Sequence, residues 1–421
     1  MIAALHAYRM LLRLDHVPQL FWAACLSRLA ARMFALAIVL YALARFQSPA
    51  VAGWVSFAAL APGLAISPLA GAILDRVGAA RAIVVDMAIN GILLFAVAIG
   101  GWADLISMPA LLALVALQSL TSPLSAAGIR VLIPQLVPAA ELDRANALDT
   151  ASFALIDVAG PALAGLLMAF IGPHATMLII ALLSLAASLS LVSLMRRESI
   201  DRSNRALPLL RQAVSGLVYV VQHPSLRGLA ISYSLYQVSW GVLAVAVPVM
   251  AINFLGAGSA SDSAVGFLWA AAGVAGGLGA LYAGHARTDG RERRFLIGGI
   301  LATALAIAAA ALIPNLAGLA FGLVLVGLFA GPVDIAVLSL RQRRTDPGQL
   351  GRVMAVSMSL NVSGLPVGSA LGGMLVGFSP TMALIAAALA STLAALAARQ
   401  MIPAYQAEVA ATSCRDSVKP S

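Results

Sequence analysis

Between about residues 19 and 398 the sequence runs through twelve successive apolar windows, each nearly free of charge and long enough to cross a bilayer. A spanning helix needs ~20 such residues. Inside hydrocarbon no water satisfies an open backbone, so each window must close its hydrogen bonds within itself as a helix. The windows are 19–44, 51–74, 82–102, 109–129, 150–171, 175–195, 226–255, 263–282, 295–313, 316–340, 353–378 and 381–398. The expected fold class is an all-α integral membrane protein with twelve transmembrane helices.

Composition sharpens this by exclusion. Apolar residues make up 61% of the chain and charged residues 10%, against ~25% charged in an ordinary soluble domain. A soluble enzyme, a nucleic-acid binder and a disordered chain are therefore excluded, despite the net charge of +9. Lysine occurs once, at Lys419. No phosphate-binding P-loop lysine exists, and no membrane lysine for a Schiff base. Cys25 and Cys414 are too far apart in context to pair, and the five histidines fit no ligand spacing. No metal or cofactor is expected, and no nucleophile–base pair marks an enzyme. The first apolar run lacks the short pattern of a cleaved leader and is expected to stay as a helix.

The basic residues set a topology. Apart from Arg28 and Arg32 inside the first window and Arg45 just after it, every arginine and the lysine fall in alternate loops or the termini on one side. By the positive-inside rule that side is cytoplasmic and holds both termini, as in an inner (cytoplasmic) membrane protein. Anionic lipids are natural partners for such loops. The longest polar stretch, 196–225, is expected to link two six-helix halves, 1–195 and 226–399, with a cytoplasmic tail at 400–421. Residues 210–221 within the linker are amphipathic enough to lie along the membrane face.

The two halves share a pattern. Thr121-Ser122-Pro123-Leu124-Ser125 aligns with Ala330-Gly331-Pro332-Val333-Asp334 at an offset of 209, and Val137-Pro138 falls on Asp346-Pro347 at the same offset. Glu141 to Arg144 then matches Gln349 to Arg352 at 208. Duplicated halves of parallel topology suit a transporter with its site near the midplane between them.

The stretch Gly71-Ala-Ile-Leu-Asp75-Arg76-Val-Gly78-Ala-Ala-Arg81 resembles the loop between helices 2 and 3 of the major facilitator superfamily. The resemblance implies a latch: Gly71 for close helix approach, Asp75, Arg76 and Arg81 for charged contacts, Gly78 for the turn. Gly160-Pro161-Ala-Leu-Ala-Gly165 is similar to the helix-5 glycine–proline motif of drug/proton antiporters in that superfamily. Ile133 to Pro138 with Glu141 to Ala147 resembles the following loop of the macrolide-efflux and siderophore-exporter branch. This chain departs from the branch at Ala31, where relatives carry an acid, and at Asp157, where they are often basic. The implied activity is secondary efflux of a small organic molecule by proton antiport and alternating access, by a protein acting as a monomer. Export of a siderophore or other anionic metabolite is the alternative; a membrane-embedded enzyme or lipid transporter is the reading of another class.

Charged residues inside a span cost ~2.5–3.5 kcal/mol each, so they pair, face water or act. Arg28 or Arg32 is expected to pair with Asp157, leaving the other arginine in the cavity for an anionic group. Asp334 either pairs with an edge arginine such as Arg341 or stands alone; with Asp157 it is a candidate for carrying the coupled proton. Asp86 is assigned to the loop latch. Tyr233, Tyr236, Gln237 and Trp240 share one helical face and, with Arg28 and Arg32, form the expected substrate site. Asn361 and Gln118 are weaker candidates.

Overall fold

The computed structural model describes residues 10–11, 13–138, 141–197, 217–285, 290–345 and 350–403. Most of the linker, including most of the amphipathic stretch, lies outside them, as do the tail beyond residue 403, Asp346-Pro347, the surroundings of Gly71 and the side chain of Asp75.

Among the described residues, eleven helices are long and apolar enough to cross a membrane. They are α1 (Val17–Phe46), α2 (Pro49–Val77), α3 (Ala79–Trp102), α4 (Met108–Leu136), a double-length helix Leu142–Arg197, α7 (Pro224–Leu255), α8 (Ser259–His285), α9 (Glu292–Leu312), α10 (Leu316–Arg343), a pair of short helices, and α13 (Pro380–Met401). The double-length helix is two crossings. Gly172 interrupts it at φ 80°, ψ 174°, a backbone region open to glycine because it lacks Cβ. Its parts are α5 (142–171) and α6 (173–197). The short pair, α11 (Leu350–Val362) and α12 (Gly364–Phe378), is one crossing interrupted at Ser363. Pro366 explains the break, since it has no N–H to give the Val362 carbonyl. Twelve crossings result.

Four helix starts at the arginine-poor end are capped by a side chain. Ser48 accepts from Val51, Ser107 from Ala110, Asn315 from Gly318 and Ser379 from Met382. Proline follows three of these caps at once or one residue later, where its missing N–H costs nothing. Each such cap contributes about 1 kcal/mol by satisfying an orphan donor.

The apolar core has a forked shape. At the arginine-poor end a single buried cluster joins both sets of crossings, from Ala30–Leu43 of α1 to Val242–Ala251 of α7 and Leu319–Val326 of α10. Toward the arginine-rich end it divides. One branch holds residues of α1, α3, α4 and α6 such as Leu20, Ile83, Leu132 and Leu191; the other holds Leu229, Ile300, Val337 and Ala398.

Two seams close the joined end, and both are made by glycine. On α5, a methyl group at Gly165 would lie 2.7 Å from Gly266 Cα on α8. On α2, one at Gly53 would lie 2.9 Å from Gly373 Cα on α12. No side chain fits either crossing, so the backbones themselves touch. Gly160, earlier on α5, lies against Arg32 Cβ in the same way. Pro123 and Pro332, the repeated prolines, both lie inside helices, α4 and α10.

Candidate functional site

Two arginines of α1 meet two aspartates of α5. Arg28 reaches Asp149 at 2.7 Å and donates to the Ser152 hydroxyl at 3.2 Å. Arg32, one turn on, reaches Asp157 at 2.5 Å. Phe153 stands between the aspartates, its ring 5.4 Å from the Arg28 guanidinium and 5.1 Å from that of Arg32. This geometry favours cation–π attraction to both. Of the two pairings expected for Asp157, with Arg28 or with Arg32, the one with Arg32 forms. The expectation that the other arginine stays free does not hold, because Asp149 neutralises Arg28. The sequence window began at residue 150 and left Asp149 outside the helix, whereas the helix starts at Leu142. The signal was present: Asp149, Phe153 and Asp157 are spaced i, i+4, i+8, one face of a helix.

The two pairs differ in surroundings. The Arg28–Asp149 side chains are 12% and 16% exposed, those of Arg32 and Asp157 45% and 38%. Arg32 and Asp157 are each some four turns inside their helices, so the second pair is partly exposed well away from either helix start. Its neighbour is α8: Val158 and the Asp157 carbonyl lie beside Gly273. One turn earlier on α8, Trp269 stands 6.1 Å from Trp240 of α7. One face of α8 therefore places the Arg32–Asp157 pair and Trp240 in the same region.

The α7 stripe divides. Tyr233 and Trp240 are partly exposed, and Gln237 is too. Tyr236 is 1% exposed, packed in the core with its hydroxyl 3.4 Å from that of Thr303 on α9. It supports the stripe from behind rather than facing open space. Tyr233 donates to Asp334 of α10 at 2.5 Å. No cation pairs with Asp334 among the described residues, so of the two alternatives the aspartate without an arginine is the one observed. Tyr233 connects on to Tyr236 at 5.6 Å between ring centroids, and Tyr236 to Trp240 at 6.4 Å.

Asp86 is corrected. It is 2% exposed, accepts from Asn90 Nδ2 at 2.6 Å and from the Ser125 hydroxyl of α4. Its carboxylate binds α3 to α4, and among the described residues its partners lie on those two helices rather than in the loop. In that loop Gly78 has φ 94°, Arg76 is exposed and Arg81 half-buried. Gln118 is buried with its Oε1 unpartnered, next to Ser119, whose hydroxyl accepts from Gly63 N of α2 at 3.0 Å. A groove of about 430 Å³ runs between α2 and α11–α12, lined by apolar residues with Ser359 and Ser363. It holds no charged group to orient a ligand. Among the described residues no group of histidine, cysteine or carboxylate side chains could hold a metal.

The sequence matches the Major Facilitator Superfamily over residues 20–229 and 229–412. It is 47% identical over 398 residues to an uncharacterized MFS-type transporter, y4rN, of Sinorhizobium fredii, covering 94% of this chain and 97% of that one. It is 27% identical to the multidrug efflux pump Tap of Mycolicibacterium fortuitum, over 76% of this chain and 79% of that one. Solved structures share the fold. The nucleoside transporter NupG superposes with a TM-score of 0.73 at 14% identity, over 91% of this chain and 99% of that one. A bacterial homologue of ferroportin in an inward-facing state gives 0.69 at 19% identity, over 91% and 98%. Twelve apolar crossings, a core forked between two sets of helices and these matches make the chain a member of the major facilitator superfamily, a multi-pass membrane transporter and not an enzyme.

Proposed function

We propose that the chain exports a small organic molecule from the cytoplasm across the inner membrane by proton antiport, working as a monomer. The forked core carries this reading. Joined at the arginine-poor end and divided at the arginine-rich end, it is one of the two arrangements that alternating access requires. With the arginine-rich loops in the cytoplasm, the state described is open inward. Halves 1–195 and 226–399, linked by 196–225, would rock so that the Gly165–Gly266 and Gly53–Gly373 seams part as the other end closes. Asp75, Arg76 and Arg81, turned by Gly78, would latch that second state. The likeness to Tap, an efflux pump by its name, supports the outward direction.

The substrate site lies between Arg32–Asp157 of the first half and Tyr233, Gln237 and Trp240 of the second, with Arg28 and Tyr236 holding them from behind. Aromatic walls with a few polar groups are the usual lining of a small-molecule pocket. Asp157 and Asp334 are the proton-coupling residues. Among the described residues Asp334 has only a hydroxyl as its partner, so it accepts a proton without first breaking an ion pair.

The test is transport into inverted vesicles from a transporter-deficient strain, using a panel of drugs and metabolites with and without an imposed pH gradient. Uptake of at least one compound that collapses with the gradient supports the reading. Uptake driven equally well without any gradient would overturn antiport; uptake only in right-side-out vesicles would overturn export.

A further inference from the structure

Both arginines of α1 are neutralised by α5, but one buried guanidinium in the second half is not. Arg341, near the arginine-rich end of α10, is 3% exposed, the one basic side chain so deeply buried among the described residues. Among the described residues no carboxylate pairs with it, and its Nε–H has no acceptor. Its neighbours lie on α11. Asn361, 3% exposed, donates from its amide nitrogen to the Ser357 carbonyl at 3.1 Å, and its amide oxygen accepts from the guanidinium. Ser357, one turn before Asn361, is fully buried, and its hydroxyl is also without a partner. The cluster thus holds two unused donors beside one uncompensated positive charge. An unpaired ion in a low-dielectric interior carries a heavy desolvation penalty, and native structures rarely leave buried donors unused.

We propose that Arg341, Ser357 and Asn361 form a binding site for a small monovalent anion: a halide, or the carboxylate group of an organic molecule. The guanidinium supplies charge and the Nε–H, Ser357 a second hydrogen bond, and Asn361 fixes the plane of the guanidinium. The break at Ser363 lies two residues beyond Asn361, so α11 can tilt about it and admit the anion without unpacking α12. Asp334, two turns before Arg341 on α10, is the nearest charge of opposite sign along that helix, and Tyr233 occupies its oxygen. Under the export reading above, the anion is either part of the cargo or an ion moving with it.

The experiment uses the purified full chain in lipid nanodiscs, in HEPES buffer whose bulky sulfonate is the only anion. Unfolding temperature is followed while sodium chloride or sodium benzoate is added. Wild type is expected to show a saturable rise of several degrees, by linkage. Arg341→Gln removes an uncompensated charge; it is expected to be at least as stable as wild type in HEPES alone and to lose the saturable rise. Ser357→Ala, which removes a hydroxyl with no partner, is expected to keep its stability in HEPES and to bind the anion about tenfold more weakly. Saturation by chloride identifies a free inorganic ion; saturation by benzoate alone identifies the carboxylate of an organic ligand. The same unsaturable salt response in wild type and both variants overturns the site, as does loss of stability by Arg341→Gln in HEPES with the salt response unchanged. Because the readout is binding without flux, its failure leaves the export reading standing, and a failure to export leaves the site standing.

Discussion

Asp157 of α5 holds the Arg32 guanidinium at 2.5 Å, while two turns toward the arginine-rich end of α5 Asp149 holds Arg28 at 2.7 Å. The two pairs form a ladder between the same helices, with Phe153 as the rung between them. They differ in how much of each pair is out of contact with open space, and that difference decides what each is worth.

Breaking the inner pair should cost stability. Removing one member of a buried ion pair typically costs 3–5 kcal/mol, because the other charge is left uncompensated. Asp149→Ala is therefore expected to lower the unfolding temperature of the purified protein strongly. Asp157→Ala, whose pair is about half exposed, should lower it little while abolishing transport. The double swap Arg32→Asp with Asp157→Arg should recover part of that transport. Equal destabilisation by the two single variants would mean that the Arg32 pair is structural.

Filling a glycine seam should hold the arginine-poor end apart. Gly266→Leu places a side chain where Gly165 Cα and the Pro161 carbonyl now lie. Cysteines introduced at the ends of α5 and α8 should label faster with an impermeant thiol reagent, and flux should fall about tenfold or more. Gly373→Leu should do the same through the second seam. Unchanged labelling in both would show that these crossings do not govern access.

Asp334→Asn should uncouple the protein. If Asp334 carries the proton, the variant retains substrate binding but its flux no longer responds to an imposed pH gradient. Tyr233→Phe, which removes the hydrogen bond and keeps the carboxylate, should retain a gradient response with altered rate. Normal coupling in Asp334→Asn would move the proton to Asp157.

On α7 the stripe should split by position. Tyr236→Ala empties a fully buried site and is expected to cost about 3–5 kcal/mol, as large-to-small core changes do. Gln237→Ala and Trp240→Ala should leave protein level intact and change substrate selectivity and affinity respectively. A binding assay beside a measure of protein level in the membrane separates the two effects. Wild-type affinity in both Gln237 and Trp240 variants would place the substrate elsewhere.

At the loop between α2 and α3, if Asp75 latches the state closed at the arginine-rich end, Asp75→Asn should shift the protein away from that state. Reduced accessibility at the arginine-poor end is the expected result; unchanged accessibility at both ends would mean that another contact holds the state.

The sequence by itself determined the number of crossings, their rough limits, the side bearing the arginines and the family. Each of these is local: an apolar window of ~20 residues can be little else, and Gly78 shows its need for φ 94° in the residues around the turn. What it could not decide is which face of each helix meets which neighbour. Asp149 escapes the reading as the partner of Arg28 because the apolar window starts one residue beyond it, and helices that are apolar all round carry little periodic signal to show which face is buried. For the same reason Tyr236 could not be told from Gln237, one residue on, although packing buries the first against α9 and leaves the second partly exposed. Asp334 and Arg341 could have paired on distance along α10; Tyr233 from α7 and Asn361 from α11 divide them instead. The tertiary structure alone decided that the core joins at one end and forks at the other, because that is a relation between two sets of helices brought together by glycine contacts more than a hundred residues apart.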